Sequence, residues 1–116
     1  MEIKRLHVGK RMSEVAIHNG TVYLAGQVTS DSSLDIQGQT RNVLDQIDKL
    51  LAEAGSDKSR ILRCQIFLAD LKDFDAMNAV WEQWVVEGNT PPRATVQASL
   101  AKPEWKIEMV VTAAQA

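Results

Sequence analysis

Pro92-Arg93-Ala94-Thr95-Val96-Gln97-Ala98 and Ile107-Glu108-Met109-Val110-Val111 decide how this chain is read. Both runs alternate at the period of an extended strand, in which successive side chains point to opposite faces. In the first, Arg93, Thr95 and Gln97 share one face and Ala94, Val96 and Ala98 the other. In the second, Ile107, Met109 and Val111 oppose Glu108 and Val110. Apolar neighbours on both runs imply that at least one face of each strand is buried. Pro91-Pro92 enforces an extended entry to the first run, because the residue before a proline is driven out of the helical region. Lys102-Pro103-Glu104 supplies a turn before the second.

Working outward, 73–86 has an apolar stripe at Phe74, Met77, Val80, Trp81, Trp84 and Val85, which is helical spacing. Asp73 is placed to cap that helix and Gly88 to end it. Residues 59–68 read as a strand, with Leu62, Cys64, Ile66 and Leu68 as its cleaner apolar face. Residues 35–54 read as a second amphipathic helix, through Ile36, Val43, Leu44, Ile47, Leu50, Leu51 and Ala54. Asp35 is its N-cap and Gly55 its C′ residue. Nearer the N-terminus a short strand around 3–6 precedes a weakly alternating strand at 13–18. Asn19-Gly20 is a hairpin turn signal, and 21–25 is the returning strand, ended by Gly26-Gln27.

The order is therefore β-β-β-α-β-α-β-β, which predicts an α+β single domain, a sheet with helices on one side. Two helices can cover one face only. The other face, carrying Glu108 beside Val110, is mixed rather than fully polar. From this we expect the chain to oligomerise, with Arg93 and Glu108 near the seam.

Composition sets the outer limits. The 116 residues make one domain, 1–116, and 45% hydrophobic content is that of a globular protein. A net charge of −2 and the absence of a Lys/Arg tract argue against strong nucleic-acid binding. Cys64 is the only cysteine, so no intrachain disulfide forms. With no membrane-length apolar run and no apolar leader after Met1-Glu2-Ile3-Lys4-Arg5, the expected setting is soluble, reducing and cytoplasmic.

Few residues point to chemistry. A guanidinium is a rigid five-donor fork suited to a carboxylate, and a carboxylate handles a proton or orients a water. Arg93 and Glu108 are the pair that fits those roles. Cys64, in an apolar strand, reads as an inert thiol. His7 and His18 are too isolated for a metal site. Trp81, Trp84 and Trp105 read as packing, not as a stacking platform for bases. Ser13 lacks triad partners, and Asn78 at mid-helix is expected to bond nearby backbone.

Four blocks in this order carry a resemblance: Ala25-Gly26-Gln27, Asp70 with Asp73-Phe74-Asp75-Ala76-Met77-Asn78, Pro92-Arg93-Ala94-Thr95-Val96, and Ile107-Glu108. The chain resembles the Rid family of reactive-intermediate (enamine/imine) deaminases, the YjgF-like proteins. The resemblance spans about 13–113, and the wording around Trp81-Glu82-Gln83-Trp84 marks a divergent subgroup. It implies a chorismate-mutase-like α+β fold with a mixed sheet, two helices on one face, and a homotrimer with sites in clefts between subunits. It implies that Arg93 binds a substrate carboxylate and Glu108 positions the attacking water. Met12, Ser13, Gly26, Gln27, Asn78 and Thr95 are the further residues expected to line the substrate. No metal or organic cofactor is implied.

One departure stands out. Deaminating members carry an aromatic residue just before the serine of the N-terminal loop, where this chain has Met12. Methionine packs on a small substrate but donates no hydrogen bond. The implied activity is hydrolysis of small 2-imino acids to 2-keto acids and ammonia. Two other readings stay open: a module that binds a small carboxylate without turnover, and an endoribonuclease or translation inhibitor.

Overall fold

The computed structural model describes residues 2–116. Six strands form one sheet: β1 Lys4–Val8, β2 Ser13–His18, β3 Thr21–Leu24, β4 Ile61–Leu68, β5 Arg93–Gln97 and β6 Ile107–Ala114. Two helices, α1 Ile36–Glu53 and α2 Phe74–Trp84, interrupt them. The sheet runs β1-β2-β3-β6-β4-β5, and every pairing is antiparallel except β4 with β5. That parallel pair is the product of the crossover through α2, since parallel neighbours cannot be joined by a tight turn.

Local chemistry explains the elements. Asn19 and Gly20 both take positive φ (54° and 77°), which the two-residue hairpin between β2 and β3 requires. The Asp35 carboxylate accepts from the Gly38 N–H at 2.8 Å and caps α1. Asp73 makes no side-chain cap on α2; Asp70 instead accepts from the Lys72 N–H at 2.9 Å in the short 3-10 turn leading into it. Gly88 lies past an already ended helix, which stops at Trp84.

Both helices pack on one face, over Val15, Ile17, Val22, Leu24, Cys64, Ile66, Leu68, Ile107, Met109 and Val111. The alternation expected for β4 holds from Cys64 onward. It fails at its start, where a register shift between Ile61 and Arg63 against β6 turns Leu62 out to half exposure and buries Ile61. An extra residue in one strand does this, because it re-aims every side chain before it. No helix among the described residues covers the opposite face of the sheet. Arg63 pairs with Thr112, Gln65 with Val110 and Phe67 with Glu108 across β4 and β6, and Tyr23 and Val96 lie exposed on it. No helix among the described residues is long and apolar enough to cross a membrane.

Candidate functional site

Arg93 opens β5 at the edge of the sheet, opposite Cys64 of β4, and so points to the helix-covered face. Its Nη2 donates to Asn78 Oδ1 at 2.6 Å, and its Nη1 approaches Met77 Sδ at 3.8 Å. The guanidinium carbon lies over the Trp81 ring, 5.1 Å from its centroid, and 5.9 Å from that of Phe74. Asn78, expected to bond nearby backbone, thus turns to Arg93. The start of α2 is held over β5 by Gln97, whose Oε1 accepts from the Leu71 N–H at 2.9 Å. Among the described residues no Asp or Glu forms an ion pair with Arg93. Its half-buried guanidinium is thus without a carboxylate partner among the described residues, whereas buried charge is normally paired. Thr95, two residues on and on the same face, has a buried hydroxyl oxygen without a hydrogen-bond partner.

Glu108 is elsewhere. β4 lies between β5 and β6, so Arg93 and Glu108 stand two strands apart, and Glu108 points to the helix-free face. Its carboxylate occupies the space above Gly26: a Cβ built there would fall on Oε2 and meet Cδ at 2.9 Å. Gln27 exchanges both backbone hydrogen bonds with Met109, at 2.8 and 3.1 Å, which fixes the Gly26 backbone beside Glu108. The approach to β6 is fixed by Gln39, a fully buried side chain on α1. It donates to the Leu34 and Glu104 carbonyls and accepts from the Lys106 N–H. The Gln27 side chain turns away from Glu108, donating to the Ala25 carbonyl at 3.1 Å. It lines a cavity of about 370 Å³ with His7, Glu14, Gln46, Lys49, Leu50 and Glu53, which includes neither Arg93 nor Glu108. Met12, 53% exposed, closes the turn between β1 and β2, and Ser13 follows it as the first residue of β2. The Ala25 N–H donates to the Glu14 carbonyl at 2.9 Å and ties that end of β2 to the Gly26 segment.

The predicted residues therefore do not converge in one chain. Arg93, Thr95 and Asn78 form one group and Glu108 with Gly26 a second, while Gln27 faces the cavity on the other side of the sheet from Glu108 and Met12 and Ser13 lie at the turn from β1 into β2. At ~4.8 Å per strand spacing, the β2 and β5 strands lie roughly 19 Å apart in one chain. Among the described residues, neither group alone holds both the Arg93 guanidinium and the Glu108 carboxylate.

Residues 2–115 match the family described as Endoribonuclease L-PSP. A RutC family protein of Haemophilus ducreyi is 52% identical over 112 residues, covering 97% of this chain and 96% of its own. The chain belongs to this family, that of the YjgF-like or Rid proteins. Another relative, the RutC family protein YoaB of Escherichia coli K12, is 48% identical over 114 residues, covering 98% and 99%. Among solved structures, a YjgF family member from Neisseria meningitidis superposes with a TM-score of 0.97 at 43% identity, over 100% of this chain and 97% of that one. The fold expected from the Rid resemblance is thus the fold found.

Sequence reasoning missed the surroundings of Arg93. Phe74, Met77 and Trp81 were legible as the apolar stripe of α2, but nothing local says that this stripe faces an arginine. Cys64, the strand partner of Arg93, is fully buried, and loss of solvation pushes its thiol up to about 12 against a weaker opposing pull from Arg93 and Arg63. It is not a nucleophile near neutral pH. No cluster of three or more His, Cys, Asp or Glu suited to a metal ion occurs among the described residues.

Proposed function

We propose that this chain is a hydrolytic deaminase of small 2-imino acids, working in clefts between three copies of itself. The observation that carries this is the guanidinium of Arg93, half-buried, held by Asn78 and free of any carboxylate. One of its five N–H donors goes to Asn78 and one faces Met77, which leaves three for a carboxylate. Thr95 adds an unpartnered hydroxyl on the same face. The separation of the Arg93 group from Glu108 supports a site completed by a second copy. When one group of each copy meets the other group of the next, the contact is head-to-tail, and rotation closes it into a ring. The helix-free sheet face, with Tyr23, Phe67, Val96 and Val110, is the apolar surface available for that contact.

The chemistry follows from the substrate. A 2-imino acid carries its carboxylate next to an electrophilic C=N carbon. Gripping the carboxylate with a bidentate arginine fixes that carbon in place. Glu108 of the partner subunit orients a water and takes up its proton as the oxygen adds to the carbon. The C=N electron pair moves to nitrogen, which is protonated, and a carbinolamine results. Its C–N bond then breaks as the hydroxyl loses its proton, giving a 2-keto acid and ammonia.

The test is keto-acid release from 2-iminopropionate generated in place by an amino-acid oxidase, with semicarbazide competing for the imine. Faster release with the wild type and not with Arg93→Ala is the expected result. No acceleration, together with pyruvate binding that Arg93→Ala abolishes, would leave a carboxylate-binding module. Met12 favours that second reading, because its exposed thioether offers no donor to a reacting group.

A further inference from the structure

We infer that Trp81 is a positioning residue for Arg93: its indole face sets the plane in which the guanidinium meets a carboxylate. This rests on the reading of Arg93 as the carboxylate anchor. An arginine at the start of an edge strand has four rotatable bonds and no reason to keep one orientation. Here Phe74, Met77, Asn78 and Trp81 lie at three- and four-residue spacings on α2, so they form one surface above the start of β5. Of these, Trp81 is the fixed plate. It is 6% exposed, whereas Phe74 is 39% exposed. The Trp81 ring packs against Trp84 with centroids 5.6 Å apart, and the Trp84 indole N–H donates to Asp48 on α1 at 3.0 Å. The plane of Arg93 is thereby referred through two indoles to the longest helix of the fold.

An aromatic plate does what an acidic partner cannot. Asp or Glu would orient a guanidinium by consuming its N–H donors, the groups a substrate carboxylate needs. A ring face attracts the cation through its π electrons and leaves the N–H edge free. The absence of any ion pair on Arg93 among the described residues, with Trp81 5.1 Å away, fits that division.

The experiment begins on the wild-type protein. The Arg93 side-chain Nε–H resonance, assigned by its loss in Arg93→Ala, should be sharp and moved by the indole ring current from the position of a free arginine. It should persist in Trp81→Phe and move most of the way to the free position in Trp81→Leu, where the more distant Phe74 ring alone remains. Pyruvate, titrated calorimetrically, should bind Trp81→Phe nearly as the wild type and Trp81→Leu about 5- to 30-fold more weakly, the range expected for a cation held over an aromatic face. A wild-type Arg93 resonance at the free position would overturn the inference. So would wild-type affinity in Trp81→Leu, or a loss in Trp81→Phe as large as in Trp81→Leu. If Trp81→Leu does not fold, the wild-type resonance and Trp81→Phe decide. Undiminished pyruvate binding by Arg93→Ala would sink the site reading instead, and the resonance would still report whether Trp81 holds Arg93.

Discussion

The Glu108 carboxylate lies where a side chain on residue 26 would have to go. Gly26 therefore leaves room for Glu108 and does not serve as a positive-φ turn residue. Gly26→Ala would force Glu108 off its present position, because the colliding backbone of 26 is pinned by the Gln27–Met109 hydrogen bonds. The expected outcome is a fall in imine turnover on the order of a hundredfold, the usual scale for a displaced proton-handling group. Pyruvate affinity, assigned to Arg93 in the proposed function, should change little. Parallel turnover and binding titrations check this, and unchanged turnover would remove Glu108 from the chemistry.

Asn78 takes one guanidinium N–H of Arg93 at 2.6 Å. Removing it in Asn78→Ala leaves that donor unpaired and the head group freer, and should weaken pyruvate binding roughly tenfold, in line with a hydrogen bond to a charged group. Asn78→Asp should be worse despite its similar shape. Its carboxylate would neutralise Arg93 and compete with the substrate for the same fork. Equal losses in the two variants would show that Asn78 acts through packing alone.

Much of this was legible in sequence because it is local. The Asn19-Gly20 hairpin, the Asp35 cap and the buried stripe of α1 each follow from a few adjacent residues, and each is found. What sequence hides is pairing at a distance. Arg93 and Glu108 sit on consecutive strands of the chain, yet β4 lies between them, because the crossover through α2 returns β5 to the outer side of β4. The two side chains take opposite faces because Arg93 pairs with Cys64 and Glu108 with Phe67, three residues apart on β4. The register shift at Leu62 is likewise invisible, since the alternation of 61–68 continues unbroken in the letters. Trp81 declares itself as buried but cannot declare what it is buried against.

The helix-free face predicts an assembly. Val110 is half-buried in a single chain, on the Glu108 side of β6 and opposite Gln65. Val110→Glu would put a second carboxylate on the same face as Glu108, two residues along the strand, and into whatever surface covers it. Sedimentation velocity should show the wild type as a trimer and Val110→Glu as a smaller species, with imine turnover lost together with the assembly. Persistence of the wild-type mass would mean that the copies meet through another face.

Cys64 gives the chain a defined alkaline weakness. Burial raises its thiol from an ordinary value near 9 to about 12 in the folded protein, so the native state keeps a proton that the unfolded chain releases. Between those values the unfolded state binds fewer protons, and stability therefore falls as pH rises, by on the order of 1 kcal/mol per pH unit. Below pH 9 the contribution is fully present and constant. Cys64→Ala opens a small cavity and is less stable than the wild type near neutrality, but it lacks this titration. Urea midpoints measured at pH 8, 9.5 and 10.5 should show the stability gap between the two proteins narrowing as pH rises. Lysine and tyrosine titration, common to both, cancels in the difference. A constant gap across that range would mean that the Cys64 thiol ionises in the folded protein as readily as in the unfolded chain.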